Sequence, residues 1–162
     1  MTSQAHGATA LTRLHRLGYT LPPQNPGKEK YAPCQWGGAG FHVSGQLPYV
    51  DGKLPAQGIL GRDVGMEQAE ELARLAALNA LAVAASAVGD LERLRVVQMM
   101  VFVASTPEFG EQWKVADAAS ALLLDVLGDN GQHARTAIGV AGLPSNSPVE
   151  IQMVCTTVPA DG

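Results

Sequence analysis

The segment HARTAIGVAGLPSNSPVE, residues 133–150, decides how the C-terminal part of the chain folds. Two short apolar runs flank the turn Leu-Pro-Ser-Asn-Ser-Pro, and each run is typical of a β-strand. Arg135 lies in the first run and Glu150 in the second, with almost no other charge between them. If the turn joins the two strands as a hairpin, we expect Arg135 and Glu150 to project from the same side of the sheet.

Arg135 is a candidate ligand-binding residue because its neighbours on the same strand face are small: Ala137, Gly139 and Ala141. A guanidinium in such surroundings suits a planar carboxylate, which it can hold by two parallel hydrogen bonds. The same spacing is also typical of a structural salt bridge between Arg135 and Glu150. The two interpretations stay open on these residues alone.

The composition is that of a globular protein with one domain. The chain has 162 residues, of which 46% are apolar and 16% charged, and this length is enough to bury one proper core. The net charge is -4 and the eleven basic residues are scattered, whereas nucleic-acid-binding surfaces normally show a basic stripe. We therefore expect no nucleic-acid partner.

The cysteines and histidines predict neither a disulfide framework nor a metal site. Cys34 and Cys155 each lie in an apolar run, where a free thiol behaves as a small hydrophobe, and the four histidines show no ligand spacing with them. The apolar stretch at residues 72–88 is interrupted by polar side chains and is typical of a buried helix rather than a membrane span. Without a signal-peptide pattern, we expect a cytoplasmic protein with no membrane partner, no metal and no cofactor.

Periodicity along the chain predicts helices and strands in a definite order. Leu11, Leu14 and Leu17 mark a short amphipathic helix, and a proline-rich connector follows it at residues 21–27. The predicted elements are helix 8–17, strands 31–36 and 40–47, an exposed loop 48–63, helix 66–88, strand 94–104, helix 111–127 and the two strands of the opening segment. This order predicts an α+β fold in which both long helices cover one face of a mainly antiparallel or mixed sheet. Self-association would bury the opposite face.

An ordered set of motifs resembles the RidA (YjgF/YER057c/UK114) family, and in particular its longer branch with an extra N-terminal helix. The motifs are SGQLP at 44–48, GDL at 89–91, HARTAIGVAGLP at 133–144 and VEI at 149–151. The resemblance covers roughly residues 11–158. It implies a chorismate-mutase-like (ferredoxin-like) α+β domain at 31–162, preceded by a helix and proline-rich lead-in at 1–30. It also implies a homotrimer with clefts between subunits.

The resemblance further implies hydrolysis of reactive 2-imino and enamino acids to 2-keto acids and ammonia. Carried over by position, the carboxylate-binding arginine is Arg135 and the cleft glutamate is Glu150, which together would act in catalysis. Tyr31, Ser44 and Gly45 would line the substrate-binding cleft. The implied ligand is a small metabolite that bears a carboxylate.

Two positions depart from the pattern of the deaminases. Ala137 stands where they have a cysteine, and Asp117 is the nearest match to a substrate-binding asparagine. These departures favour, as an alternative, a metabolite-binding or regulatory protein that binds small carboxylates without turnover. An endoribonuclease, the label that family members often carry, is a third hypothesis. His133 is interpreted as a solvated loop histidine rather than a group that titrates in the cleft.

Overall fold

The computed structural model describes residues 7–24 and 30–159. His6 and the end of the predicted proline-rich connector, residues 25–27, lie outside these ranges. The order of helices and strands is the predicted one. The elements are α1 (Ala10–Arg16), β1 (Cys34–Gly37), β2 (Gly40–Gln46), α2 (Met66–Val88), β3 (Leu94–Ala104), α3 (Gln112–Leu127), β4 (Ala134–Val140) and β5 (Val149–Thr157).

The five strands form one mixed sheet in the order β1-β2-β5-β3-β4. β3 and β4 run parallel, and the other neighbours are antiparallel. The predicted hairpin between β4 and β5 is therefore wrong, because β3 lies between them. β3 and β5 each bury every second side chain along most of their length, so their pairing joins two long apolar stripes at the centre of the sheet.

The register places Arg135 and Glu150 on opposite faces of the sheet. Arg135 is opposite Met99, a fully buried residue on the face that the helices cover. Glu150 is opposite Phe102, which also pairs with Ile138 on the open face. Directly paired residues point to the same side of a sheet. The expectation that Arg135 and Glu150 of the same subunit share a face is therefore wrong.

α2 and α3 pack together and cover one face of the sheet, as predicted. Seven of the eleven buried residues of α2 are alanines, and these small side chains let the helix approach the sheet closely. It ends at Gly89, whose φ of 80° is the left-handed conformation that glycine adopts without strain. By length and hydropathy α2 resembles a membrane span, yet its apolar residues belong to the common core.

α1 extends the helical layer and is not part of either cavity described below. Ala10 and Leu14 are fully buried in the core, whereas Leu11 and Leu17 are 46% and 43% exposed, so the predicted apolar stripe of three leucines is wrong. The Arg13 Nε–H donates to the carbonyl of Val126 at 2.7 Å. This carbonyl belongs to the last turn of α3, where backbone acceptors lack helical partners.

The segment at residues 48–63 is more ordered than the exposed loop that its glycines and prolines predict. Leu60 is fully buried, and its backbone N–H donates to the carbonyl of Ala104 at 2.9 Å. The Gly58 N–H donates to the carbonyl of Asn146 at 2.9 Å. The segment therefore packs against the end of β3 and the turn that precedes β5.

The face of the sheet opposite the helices carries apolar side chains that no described element covers. Met100, Phe102 and Val154 are partly exposed there, and Ile138 on the edge strand β4 is 38% exposed. A sheet face of this composition is typical of one that another subunit covers.

Candidate functional site

A cavity of about 540 Å³ opens on the uncovered face of the sheet. It brings together four of the predicted site residues: Tyr31, Ser44, Gly45 and Glu150. Phe102, Leu143 and Gln152 complete its lining. The size suits a small metabolite.

A β-bulge in β2 shapes this cavity. Val43 pairs with Met153 and Gln46 with Ile151, so Ser44 and Gly45 together lie opposite one residue of β5. An extra residue of this kind bends the strand and redirects its side chains, and bulges are common beside active sites. A Cβ atom on Gly45 would lie 1.9 Å from Glu150 Oε1, which shows that the glycine makes room for the carboxylate.

The surroundings of Glu150 disfavour the ionised form of its carboxyl. Its side chain is about half-buried at the floor of the cavity, and this burial raises the pKa of its carboxyl above the ordinary value. A higher pKa brings a carboxyl closer to the range in which it can both accept and return a proton near neutral pH.

Ser44 forms hydrogen bonds to the chain segment that precedes β1. Its hydroxyl donates to the carbonyl of Ala32 at 2.7 Å, and its backbone N–H donates to the carbonyl of Pro33 at 2.9 Å. These bonds fix the segment that carries Tyr31, whose side chain is 63% exposed at the rim. Ser44 therefore positions Tyr31.

Arg135 faces a different cavity, of about 300 Å³, at the edge of the sheet where β4 meets α3. Ser120, Leu124, Gln132 and His133 are its other lining residues. The Arg135 side chain keeps 24% of its surface exposed. Within one subunit the two predicted catalytic residues thus belong to separate cavities.

Asp117, Ser120 and His133 form a hydrogen-bonded network that holds Arg135. Arg135 Nη1 donates to Asp117 Oδ1 at 2.7 Å and to Ser120 Oγ at 3.1 Å. His133 Nδ1 donates to the carbonyl of Gly131 at 2.6 Å, which leaves Nε2 to accept from the Ser120 hydroxyl at 3.0 Å. The interpretation of His133 as a solvated loop residue is therefore wrong, because both ring nitrogens are engaged.

The guanidinium of Arg135 has one edge that makes no hydrogen bond to a described residue. Its hydrogen bonds to those residues use Nη1 alone, and Nε and Nη2 form the other edge. Two parallel hydrogen bonds from that edge are the usual geometry of carboxylate recognition by arginine.

Sequence patterns did not indicate Ser120 or His133 as partners of Arg135. Ser120 lies on α3, thirteen residues before His133, and no local periodicity links a helix position to a loop position across that interval. The position of Phe102 on the open face could have been inferred from the sequence. Alternate residues of β3 are buried against the helices, and Phe102 is one of the residues between them.

A family model and several known proteins are similar to this chain over most of its length. The model of the YjgF/chorismate mutase-like endoribonuclease family matches residues 11–156. The chain belongs to this family. The match confirms the resemblance to RidA proteins and the chorismate-mutase-like α+β fold.

Three relatives illustrate the match. Protein TCP17 from Trypanosoma cruzi is 41% identical over 153 residues, which cover 93% of this chain and 95% of that protein. A crystal structure of a protein of unknown function from Agrobacterium tumefaciens is 42% identical, with a TM-score of 0.84 and coverage of 92% of each chain. Escherichia coli TdcF, whose structure contains bound serine, shares the fold at 20% identity and a TM-score of 0.59, covering 84% of this chain and 93% of TdcF.

Proposed function

We propose that this protein hydrolyses reactive 2-imino and enamino acids to 2-keto acids and ammonia, in clefts between the subunits of a cytoplasmic homotrimer. The observation that carries the proposal is the half-buried Glu150 carboxyl, with its raised pKa, in a cavity of metabolite size. Family membership and the ligand-ready edge of Arg135 support it.

The separation of the two proposed catalytic residues supports a site that is shared between subunits. Glu150 lies on the open face and Arg135 on the helix-facing side of the edge strand, so they cannot hold one small ligand within a single subunit. We infer that a second copy covers the open face and brings the Arg135 edge of its β4 beside the first copy's Glu150. Ile138 and the other partly exposed apolar side chains of that face would then be buried.

The chemistry requires only positioning and proton transfer. Arg135 holds the carboxylate of the substrate through Nε and Nη2. Glu150 accepts a proton from water as the water oxygen bonds to the carbon of the C=N group, and then returns a proton to the nitrogen. Because the imine nitrogen is already protonated when water adds, this returned proton makes it an ammonium group. The C–N bond then breaks while the new hydroxyl gives its proton to Glu150 and becomes the C=O group, so that ammonia leaves and the 2-keto acid remains. Positioning contributes several kcal/mol to reactions of this kind, and Tyr31 at the rim closes the cleft over the substrate.

Binding of small carboxylates without turnover is the second candidate function. Asp117 occupies one donor of Arg135 at 2.7 Å, and Ala137, which shares a strand face with Arg135, supplies no polar group. These two features favour a binding or regulatory protein. An endoribonuclease finds less support, because the net charge is -4 and residues 7–24 and 30–159 contain no cluster of three or more potential metal ligands.

A coupled assay tests the proposal. A pyridoxal-phosphate dehydratase releases 2-aminoacrylate from serine, and the rate of keto-acid formation is compared for the wild type, Arg135→Ala and Glu150→Gln. We expect the wild type alone to accelerate the reaction. Arg95→Ala is the matched control, since Arg95 lies on the same sheet, bonds to Asn130 and lines neither cavity.

The outcomes separate the two candidate functions. Equal rates for the wild type and both site variants would remove the deaminase. Thermal stabilisation of the wild type by 2-keto acids, lost in Arg135→Ala and accompanied by no acceleration, would instead support binding without turnover.

A further inference from the structure

We propose that Asp117 is a specificity-determining residue that makes the Arg135 site prefer carboxylates bearing a cationic nitrogen over carboxylates that carry only negative charge. The inference rests on the proposed function, in that it takes Arg135 as the carboxylate anchor. It deepens that function by defining the charge of the preferred ligand and assigning the preference to one side chain.

The position of Asp117 relative to Arg135 is the first observation. Asp117 Oδ1 lies 2.7 Å from Arg135 Nη1, so the aspartate occupies the end of the guanidinium opposite the Nε side. Ser120 accepts from the same nitrogen, and His133 fixes the direction of the Ser120 hydroxyl. The network therefore fixes the carboxylate of Asp117 on the same guanidinium whose remaining edge would bind the ligand.

The charge balance of this cavity is the second observation. Both ring nitrogens of His133 bond to uncharged groups, the carbonyl of Gly131 and the hydroxyl of Ser120. The other lining residues, Leu124 and Gln132, are uncharged. Within one subunit, Arg135 and Asp117 thus form an ion pair with no net charge, unlike the cationic site that an unopposed arginine would create.

A neutral pair responds to ligand charge in a simple way. Every negative charge on the ligand is attracted by Arg135 and repelled by Asp117, whereas a positive charge next to the ligand carboxylate is attracted by Asp117. Because 56% of the Asp117 side chain is exposed, water screens this interaction. For a separation of about 6 Å and an effective dielectric constant of about 40, one unit of ligand charge changes affinity roughly tenfold.

This preference has a consequence for the reaction. A protonated 2-imino acid carries a cationic nitrogen beside its carboxylate, and protonation is what makes its carbon reactive to water. The 2-keto acid product has lost that nitrogen and carries only the negative charge. Asp117 would therefore hold the reactive form of the substrate more tightly than the product, and so favour product release.

Three stable ligands with the same three-carbon skeleton test the inference by calorimetry. L-serine has no net charge, glycerate has one negative charge and tartronate has two. Affinities are measured for the wild type, Asp117→Asn and Asp125→Asn. The asparagine at 117 keeps an acceptor for Arg135 Nη1, and Asp125 is an exposed aspartate of the same helix that makes no hydrogen bond to Arg135 among the described residues.

We expect the wild type to bind serine most tightly and tartronate least. Asp117→Asn should lower the ratio of the glycerate Kd to the serine Kd about tenfold, and the tartronate ratio further. Asp125→Asn should leave both ratios unchanged. Unchanged ratios in Asp117→Asn, with all three ligands still bound, would overturn charge selection and leave the carboxylate site standing. Failure of the wild type to bind any of the three would overturn the carboxylate site, and this inference with it.

Discussion

The carboxylate of Glu150 depends on a neighbour that has no side chain. Because a Cβ on Gly45 would lie 1.9 Å from Glu150 Oε1 and 2.8 Å from Cδ, any larger residue must push the carboxylate out of its place in the cavity. Gly45 thus belongs to the site through the space it leaves.

Gly45→Ala should lower the activity by about ten- to a hundredfold, since a displaced carboxylate loses part of its general acid–base contribution. The fold should survive, because the group that must move is the end of a flexible side chain. The measurement is the rate of imine hydrolysis together with the melting temperature. Gly37→Ala is the control, as nothing lies within 4 Å of a Cβ at Gly37. Full activity in Gly45→Ala would show that the carboxylate need not occupy this place.

The pH dependence of the activity should report the ionisation of Glu150. Burial disfavours the charged carboxylate of Glu150 and raises its pKa above the value of an exposed glutamate, which is about 4.3. As the pH falls, Glu150 therefore loses the ionised form, which accepts a proton from water, at a higher pH than an exposed glutamate does. We expect kcat/KM to fall as the pH falls through this raised value. Glu150→Gln should show low activity with no such limb, and an unchanged limb in that variant would assign the ionisation to another group.

At the scale of elements, α3 determines where the arginine of β4 points. β4 is the edge strand, and its helix-facing side meets α3 at Asp117 and Ser120. Ser120 connects the two elements, because its hydroxyl lies between Arg135 and His133.

Ser120→Ala should weaken carboxylate binding about three- to tenfold, the usual effect of losing one hydrogen bond. We expect KM to rise while kcat changes little, since Ser120 orients Arg135 and does not touch the reacting atoms. Steady-state kinetics with the coupled assay measure both parameters. Ser86→Ala, an exposed serine of α2, is the control. A fall in kcat at constant KM would contradict the positioning role.

The elements themselves were predictable from local sequence. α2 has the predicted bounds because a long alanine- and leucine-rich run ends at Gly89, and β1 and β2 form the predicted hairpin across a glycine-rich turn. The pairing of β4 was not predictable, because a turn between consecutive strands resembles a hairpin whether or not a third strand enters between them. The pairing is decided by which strand packs beside β5 in the buried part of the sheet, and β3 takes the place that a hairpin would give to β4.

Only part of the candidate site could be predicted from the sequence, because strand order again decides the rest. Tyr31, Ser44, Gly45 and Glu150 share one cavity, as the resemblance implies. Their relation to Arg135 depends on strand order and, in the proposed assembly, on a second subunit. Local periodicity predicts neither the strand order nor the contact with a second subunit.

At the scale of the whole molecule, we propose that each cleft combines residues of two subunits. One copy would supply Glu150 from its open sheet face, and its neighbour would supply Arg135 from the edge of β4. The apolar side chains on the open face, Ile138 among them, would be the contact that joins the copies.

Mixing two inactive variants tests this claim most directly. Arg135→Ala and Glu150→Gln subunits are unfolded and refolded together in equal amounts, and imine hydrolysis is compared with that of each variant refolded alone. The account predicts that the mixture regains roughly a quarter of wild-type activity, because random assembly gives that fraction of clefts both unaltered residues. A mixture that forms mixed trimers and stays as inactive as its components would contradict the shared site.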